Sequence, residues 1–327
     1  MVAVLAALLC AQPSLAPAAY AGPGSLSRGE DAHLTWVQRL PQPRGAALLH
    51  HARGDEARLG VPRNPAYRLT LVGATYLGWV VAQERQTGTR LYAVQGRRVQ
   101  EVLRVAWHET PDQFLTGGNT RIVRWSADSS GVTLKLYDAY GTRLLTHTYP
   151  GETGQLLRYD GAGVRFALSD RTCLWRTAED SVTCVDGAAA TVRPKPDVAM
   201  MRTADGSYGP TSLDDPGTPA WTADVAPRAV SPAGTWVAVV AHTATTASED
   251  LQVRRIADGE IVRTRALTHQ TGDEVWWEDD SHLVYTTGVD GKGYVLVRCD
   301  VTSGHCERAS GYVREYAFSV LGTVRHY

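Results

Sequence analysis

Four cysteines stand in two short-range pairs, Cys173 with Cys184 and Cys299 with Cys306. Thiols so spaced can oxidise to disulfides or share a metal ion, and the compartment decides between the two. The fifth, Cys10, lies in an apolar run, Met1-Val2-Ala3-Val4-Leu5-Ala6-Ala7-Leu8-Leu9-Cys10. That run is followed by Ala19-Tyr20-Ala21, the small-x-small pattern that signal peptidase cuts. Residues 1–21 are therefore expected to be a signal peptide, and the mature chain to be soluble and outside the cytoplasm. No Lys or Arg precedes the apolar run, so translation is expected to start upstream of Met1. A buried helix is the weaker reading, because Pro13 and Pro17 would break it within a turn or two. Leu9 stands before Cys10 where a lipid anchor needs a small residue. No later stretch approaches the ~20 apolar residues that span a bilayer.

Removing Cys10 leaves an even count in an exported chain, which points to two disulfides. Cys173 to Cys184 is centred on Ala178-Glu179, and Cys299 to Cys306 on Thr302-Ser303. Both centres read as hairpin turns, so each pair faces itself across a hairpin at a Cβ separation of roughly 4.5 to 5.5 Å. A zinc site is the rival, but neither spacing is of the C-x-x-C type, and the pairs stand about three repeats apart.

The other chemistry-bearing residues are weaker. Glu278-Asp279-Asp280 could hold a cation, yet it falls in a turn where Asp and Ser bond their own backbone, and three hard ligands in a row rarely converge on one ion. Asp214, Asp215 and Asp224 fall in a Pro- and Gly-rich stretch. His50-His51 resembles a metal pair, but adjacent side chains of a strand point to opposite faces. No G-x-S-x-G nucleophile turn is present, and with the last residue at Tyr327 no following peptidase domain is expected. No catalytic residue, metal ligand or cofactor site is assigned.

The elements that carry these residues follow from a repeat. Gly54, Gly96, Gly141, Asp180, Gly217, Gly259 and Gly304 mark turns at steps of about 40 residues, the period of a β-propeller with one four-stranded blade per repeat. Between them run Val-, Leu-, Tyr- and Thr-rich segments such as 78–82, 89–94, 132–137 and 283–287. No segment after the leader holds a helical period. The expected fold is all-β, a single seven-bladed propeller over residues 30–327. The first unit offers only three strands, 34–40, 46–52 and 56–61, so a strand within 312–320 is expected to complete it and close the ring. The fifth blade is the least regular, because Pro210, Pro216 and Pro219 limit pairing.

The nine tryptophans fall at about one per blade, as packing between neighbouring sheets requires. Basic and acidic residues number 33 and 34 without long runs of one sign, so nothing attracts nucleic acid or an anionic membrane. Arg far outnumbers Lys, found only at Lys135, Lys195 and Lys292, the codon bias of a GC-rich bacterial genome.

Two repeats carry a fuller motif. Val230-Ser231-Pro232-Ala233-Gly234-Thr235-Trp236-Val237 aligns with Trp277-Glu278-Asp279-Asp280-Ser281-His282-Leu283-Val284, a strand, a tight turn and an apolar strand. The first resembles the Ser-Pro-Asp-Gly turn of TolB-like and WD-repeat-like propellers, with Ala233 in place of Asp. The hairpin 297–307 resembles one in secreted actinobacterial propellers of unassigned function. The resemblance implies a binding or scaffold role without catalytic residues to carry over. The expectation is an exported, non-enzymatic monomer that meets a protein or cell-envelope partner through one axial face. A glycan- or peptide-acting enzyme and a carbohydrate-binding ring are the alternatives: clustered acids of perturbed pKa would favour the enzyme, exposed aromatics the carbohydrate binder, an apolar patch the protein partner.

Each disulfide would close a loop of only about ten residues and add roughly 2 to 3 kcal/mol before strain. Reduction is expected to lower the melting temperature modestly and leave the ring folded. Non-reducing peptide mapping checks the pairing; free thiols or cross-blade linkages would contradict it.

Overall fold

The computed structural model describes residues 25–39, 47–52, 54, 56–59, 69–85, 87–106, 112–194, 197–213, 216–242, 249–267, 275–313 and 318–320. The expected signal peptide, Asp214, Asp215 and Trp107 lie outside the described residues. Every regular element among those described is a strand. The chain folds as seven antiparallel sheets. The first holds β1 (Trp36–Arg39), β2 (Ala47–His50) and β3 (Glu56–Leu59). The second holds β4 (Leu69–Thr75), β5 (Gly78–Arg85), β6 (Gly88–Gln95) and β7 (Arg98–Ala106), and the third β8 (Gln113–Gly117), β9 (Arg121–Asp128), β10 (Gly131–Asp138) and β11 (Arg143–Pro150). The fourth holds β12 (Gly154–Asp160), β13 (Gly163–Leu168), β14 (Arg171–Arg176) and β15 (Ser181–Asp186), and the fifth β16 (Ala189–Pro194), β17 (Asp197–Arg202) and β18 (Tyr208–Thr211). The sixth holds β19 (Ala226–Val230), β20 (Trp236–His242), β21 (Glu249–Arg255) and β22 (Ile261–Leu267), and the seventh β23 (Val275–Trp277), β24 (His282–Val289), β25 (Gly293–Asp300) and β26 (Cys306–Arg308). The last strand, β27 (Phe318–Val320), returns to the first sheet, beside β1.

The first strands of successive sheets are neighbours: β4 lies beside β8, β8 beside β12, β12 beside β16, β16 beside β19, β19 beside β23, and β27 beside β4. These strands therefore ring a common axis, and each sheet runs outward from it as a blade. Burial follows that geometry. On β13, an inner strand flanked by neighbouring blades on both faces, every residue is buried. On β11, an outermost strand, half-buried and exposed residues alternate.

The core lies between blades. Trp125, Leu134 and Leu136 of the third blade pack on Leu156, Val164, Phe166 and Trp175 of the fourth, with the Trp125 and Phe166 rings 6.0 Å apart. Full burial of each such side chain is worth roughly 1.5 to 3 kcal/mol. Trp36, Trp125, Trp175, Trp276 and Trp277 are buried, whereas Trp79, Trp221 and Trp236 are half-buried.

Six of the seven turn residues picked out by the period join the third strand of a blade to its fourth: Gly54, Gly96, Gly141, Gly259 and Gly304, and Asp180 at φ 51°. Gly141 shows why. A Cβ there would stand 1.6 Å from the Val102 carbonyl of the neighbouring blade. The exception, Gly217, marks the fifth blade, which has three strands among the described residues. Pro216 and Pro219 lack the N–H that a fourth strand would donate. One antiparallel bridge, Tyr208 to Ala223, takes that strand's place. The segment then docks on the sixth blade, where Trp221 donates from Nε1 to the Ile256 carbonyl at 2.8 Å.

The ring closes at two clasps. In the first blade, Trp36 pairs with Val320, Val37 with Ser319 and Gln38 with Phe318. On the seventh, residues 27–32 run along the outer edge of β26 in parallel, with Gly29 N donating to Arg308 O at 3.0 Å and Arg308 N to Ser27 O at 2.9 Å. Buried Arg298 fastens this second clasp. Its Nη1 meets Glu278 Oε2 at 3.2 Å and its Nε meets Glu307 Oε1 at 3.0 Å, while Glu278 also accepts from His33 N.

The Glu278 side chain is 4% exposed, so Arg298→Met would strand a buried carboxylate. Such a loss costs roughly 3 to 5 kcal/mol. Urea unfolding should show the midpoint falling accordingly, and a midpoint within experimental error of the parent would contradict the role given to Arg298.

Candidate functional site

The first strands all run the same way along the axis. The turns between first and second strands and between third and fourth strands therefore emerge at one end of the ring, and the remaining connections at the other. Backbone bonds knit the first set together. Tyr76 N donates to Asn119 O at 2.8 Å between the second and third blades, and Val301 N to Ser281 O at 2.8 Å within the seventh. Arg121 Nη1 reaches Thr177 O at 3.4 Å, and Ala233 N donates to the Asp280 carboxylate. This turn-bearing end is the candidate site.

Among the described residues its most exposed large hydrophobic side chains are Tyr76, 53% accessible, and Tyr140, 56% accessible. Their rings meet edge to face with centroids 5.8 Å apart, a favoured aromatic geometry. A hydrogen bond to Tyr140 pushes the Tyr76 hydroxyl up to about 12. Tyr140 is fixed from beneath, because Asp138 Oδ1 accepts from the amides of Tyr140 at 2.9 Å and Thr142 at 2.8 Å. The result is a rigid aromatic step joining the second and third blades. Sequence reasoning passed over it, since neither tyrosine belongs to a motif; Tyr76 shares its turn with Leu77 and Tyr140 with Ala139.

The acidic triplet separates into three roles. Glu278 pairs with Arg298, and Asp280 binds the amide of Ala233. Asp279 caps its own turn, accepting from Ser281 N at 2.7 Å and His282 N at 2.8 Å. Burial pushes Asp279 up, but the bonds from His282 and Ser281 outweigh it and hold the carboxyl at about 2. Asp279, Ser281 and His282 have the composition of a hydrolase triad without its geometry. Asp279 Oδ2 and Ser281 Oγ both address His282 Nδ1, at 2.8 and 3.3 Å, whereas a triad uses the two ring nitrogens separately.

His50 and His51 part as their adjacency requires. His50 stacks on Trp36 with centroids 3.7 Å apart and bonds Glu56 and Gln38; burial lowers its pKa. The His51 ring lies 5.6 Å from that of Trp79. Asp224 is exposed. Among the described residues, no three His, Cys, Asp or Glu side chains are grouped to hold a metal.

The four cysteines sit in third-to-fourth-strand hairpins, Cys173 and Cys184 on β14 and β15 and Cys299 and Cys306 on β25 and β26. Each pair is in direct register at disulfide distance, with Cα atoms 4.1 Å apart. Arg265 Nη1 lies 3.2 Å from Cys299 Sγ, bringing the sixth blade against the second pair.

The fold and this face define a seven-bladed β-propeller. No protein-family model and no curated protein matches the sequence. Solved structures do. A putative 6-phosphogluconolactonase from Bacteroides fragilis superposes with a TM-score of 0.56 at 10% identity, covering 88% of this chain and 97% of that one. Sqt1 from Saccharomyces cerevisiae gives 0.56 at 9% identity, covering 88% of each chain. TolB from Acinetobacter baumannii gives 0.47 at 15% identity, covering 91% of this chain and 80% of that one. At such identities the likeness is one of fold.

Asp279 generates a pH prediction. Its folded pKa, about 2, lies below the ordinary value of 3.8, so its contribution is full above the ordinary value and is lost as pH falls through the folded one. Because the side chain is 53% exposed, the effect is small. Asp279→Asn should lower Tm by about 2 °C at neutral pH, with the gap closing between pH ~4 and ~2. A gap independent of pH would contradict the assignment.

Proposed function

We propose that the ring is an exported, non-enzymatic binding module whose turn-bearing face docks a protein or cell-envelope partner, with Tyr76 and Tyr140 as the anchor. The observation that carries this reading is the exposed edge-to-face pair, 53% and 56% accessible on a face otherwise held by backbone bonds. Rigid aromatics with a polar tip are the side chains that dominate interface energies, because they offer large contact area at small entropic cost. The shifted carboxylates of this face support the non-enzymatic part: Asp279 and Asp300 have lowered pKa values because they cap turns, so neither is poised as an acid or base near neutrality.

The two cysteine pairs are compatible with an oxidising, extracellular setting, and no helix among the described residues is long and apolar enough to cross a membrane. The ring leaves only the short outermost strand of each blade as a sheet edge, and on the seventh blade residues 27–32 cover it, which favours action as a monomer. As exposed aromatics, the same tyrosines equally favour a second reading, a carbohydrate ligand stacked on the open ring face.

Retention of cell-envelope material by the immobilised protein tests both. A Tyr76→Ser/Tyr140→Ser variant with an unchanged unfolding curve should lose roughly 30-fold in affinity, the equivalent of about 2 kcal/mol. Elution by free sugar would favour the second reading, and equal retention by parent and variant would contradict both.

A further inference from the structure

The fourth and fifth blades meet around three arginines. Arg165 sits on β13 and is 9% exposed, with Nε hydrogen-bonded to nothing among the described residues. A guanidinium keeps its charge at any physiological pH, so burial without a partner leaves it uncompensated. Its direct cross-strand partner is Arg158 on β12, so two like charges share one face of the sheet, an arrangement that destabilises a strand pair. One carboxylate bonds this pair: Asp160 Oδ2 accepts from Arg158 Nε at 3.1 Å, and its Oδ1 is taken by the amide of Ala162 at 2.9 Å.

The third arginine, Arg193, stands on the neighbouring first strand β16, one residue from its end, as Arg158 stands near the end of β12. Strands that run in the same direction place these ends together, at the turn-bearing mouth of the axis. Burial first, and then the charge of Arg158, depress the Arg193 pKa; Asp280 of the seventh-blade turn opposes them, and its carboxylate also binds Ala233 N. Among the described residues two carboxylates act on these three cations, Asp160 on Arg158 and Asp280 on Arg193, and both also accept backbone amides. The Arg158 side chain is 39% exposed, so the cluster is open to solvent while Arg165 holds its floor.

We propose that Arg158, Arg165 and Arg193 form a binding site for a small oxyanion, a phosphate group carried by a free ligand, at the turn-bearing mouth of the propeller axis. The guanidinium fork matches the spacing of two oxygens on one phosphorus, and a buried fork donates without reordering. An anion seated there would relieve the repulsion between Arg158 and Arg165 and supply the partner that Arg165 lacks. The site is separate from the Tyr76–Tyr140 step, so either can fail alone.

The probe is inorganic phosphate, added to the full chain against chloride at matched ionic strength, with thermal unfolding as the readout. A ligand that binds only the folded state raises Tm in a saturable way. The parent should show that rise, Arg193→Gln should need at least tenfold more phosphate for the same rise, and Arg104→Gln, an exposed control on β7, should behave as the parent. Arg165 is buried, so the second variant is Arg158→Gln, which should match Arg193→Gln. No phosphate-specific rise, or an equal rise in Arg193→Gln, would overturn the site. Phosphatidylglycerol vesicles at the same phosphate concentration separate a free ligand from a lipid headgroup; a rise with vesicles but not with inorganic phosphate would overturn the assignment to a small ligand.

Discussion

Pairing of β27 with β1 is the constraint on which the rest of the ring depends. Each blade buries both faces against its neighbours, so a gap anywhere would expose two apolar sheet faces at once. Three backbone pairs, Trp36 with Val320, Val37 with Ser319 and Gln38 with Phe318, span nearly the whole sequence and prevent that. The N-terminal segment adds an independent clasp one blade away, where it lies along β26 and its His33 amide engages the Glu278 carboxylate that Arg298 neutralises. Neither disulfide shares in the closure, since each lies within one hairpin.

Closure fixes the inner strands, and the inner strands fix what each axial end can present. At the turn-bearing end, carboxylates that look reactive in a list of residues serve the backbone: Asp138, Asp279 and Asp300 each bond amides within their own turn. For Asp279 and Asp300 these bonds lower the pKa of the carboxyl. Among the described residues this face also carries exposed aromatic surface at the second and third blades and the part-exposed Arg158 of the fourth. Both suit recognition of a ligand by contact and charge.

The repeat was legible because a tight third-to-fourth-strand turn demands a residue that tolerates positive φ, and six turns met that demand with Gly or Asp in a regular rhythm. The cysteine pairs were legible for a related reason: positions equidistant from a turn face each other across a hairpin. The fifth blade departed where its prolines removed backbone donors, and the sequence period continued through Gly217 although no strand followed it. The tyrosine step and the arginine cluster were not legible. Tyr76 with Tyr140, and Arg158 with Arg193, come from different blades, and inter-blade neighbours depend on how sheets stack around the axis, which no local pattern encodes. The triplet 278–280 showed the converse: residues adjacent in sequence with three unrelated partners.

Hydrogen exchange of the intact chain, followed by mass spectrometry of peptides covering 36–39 and 318–320, tests ring closure most directly. Amides paired between β1 and β27 should exchange in the same slow class as those of the axial strands β8 and β12, since opening the clasp would require separating two blades. Exchange of residues 318–320 at the rate of an unprotected chain while β8 and β12 stay protected would contradict a closed ring.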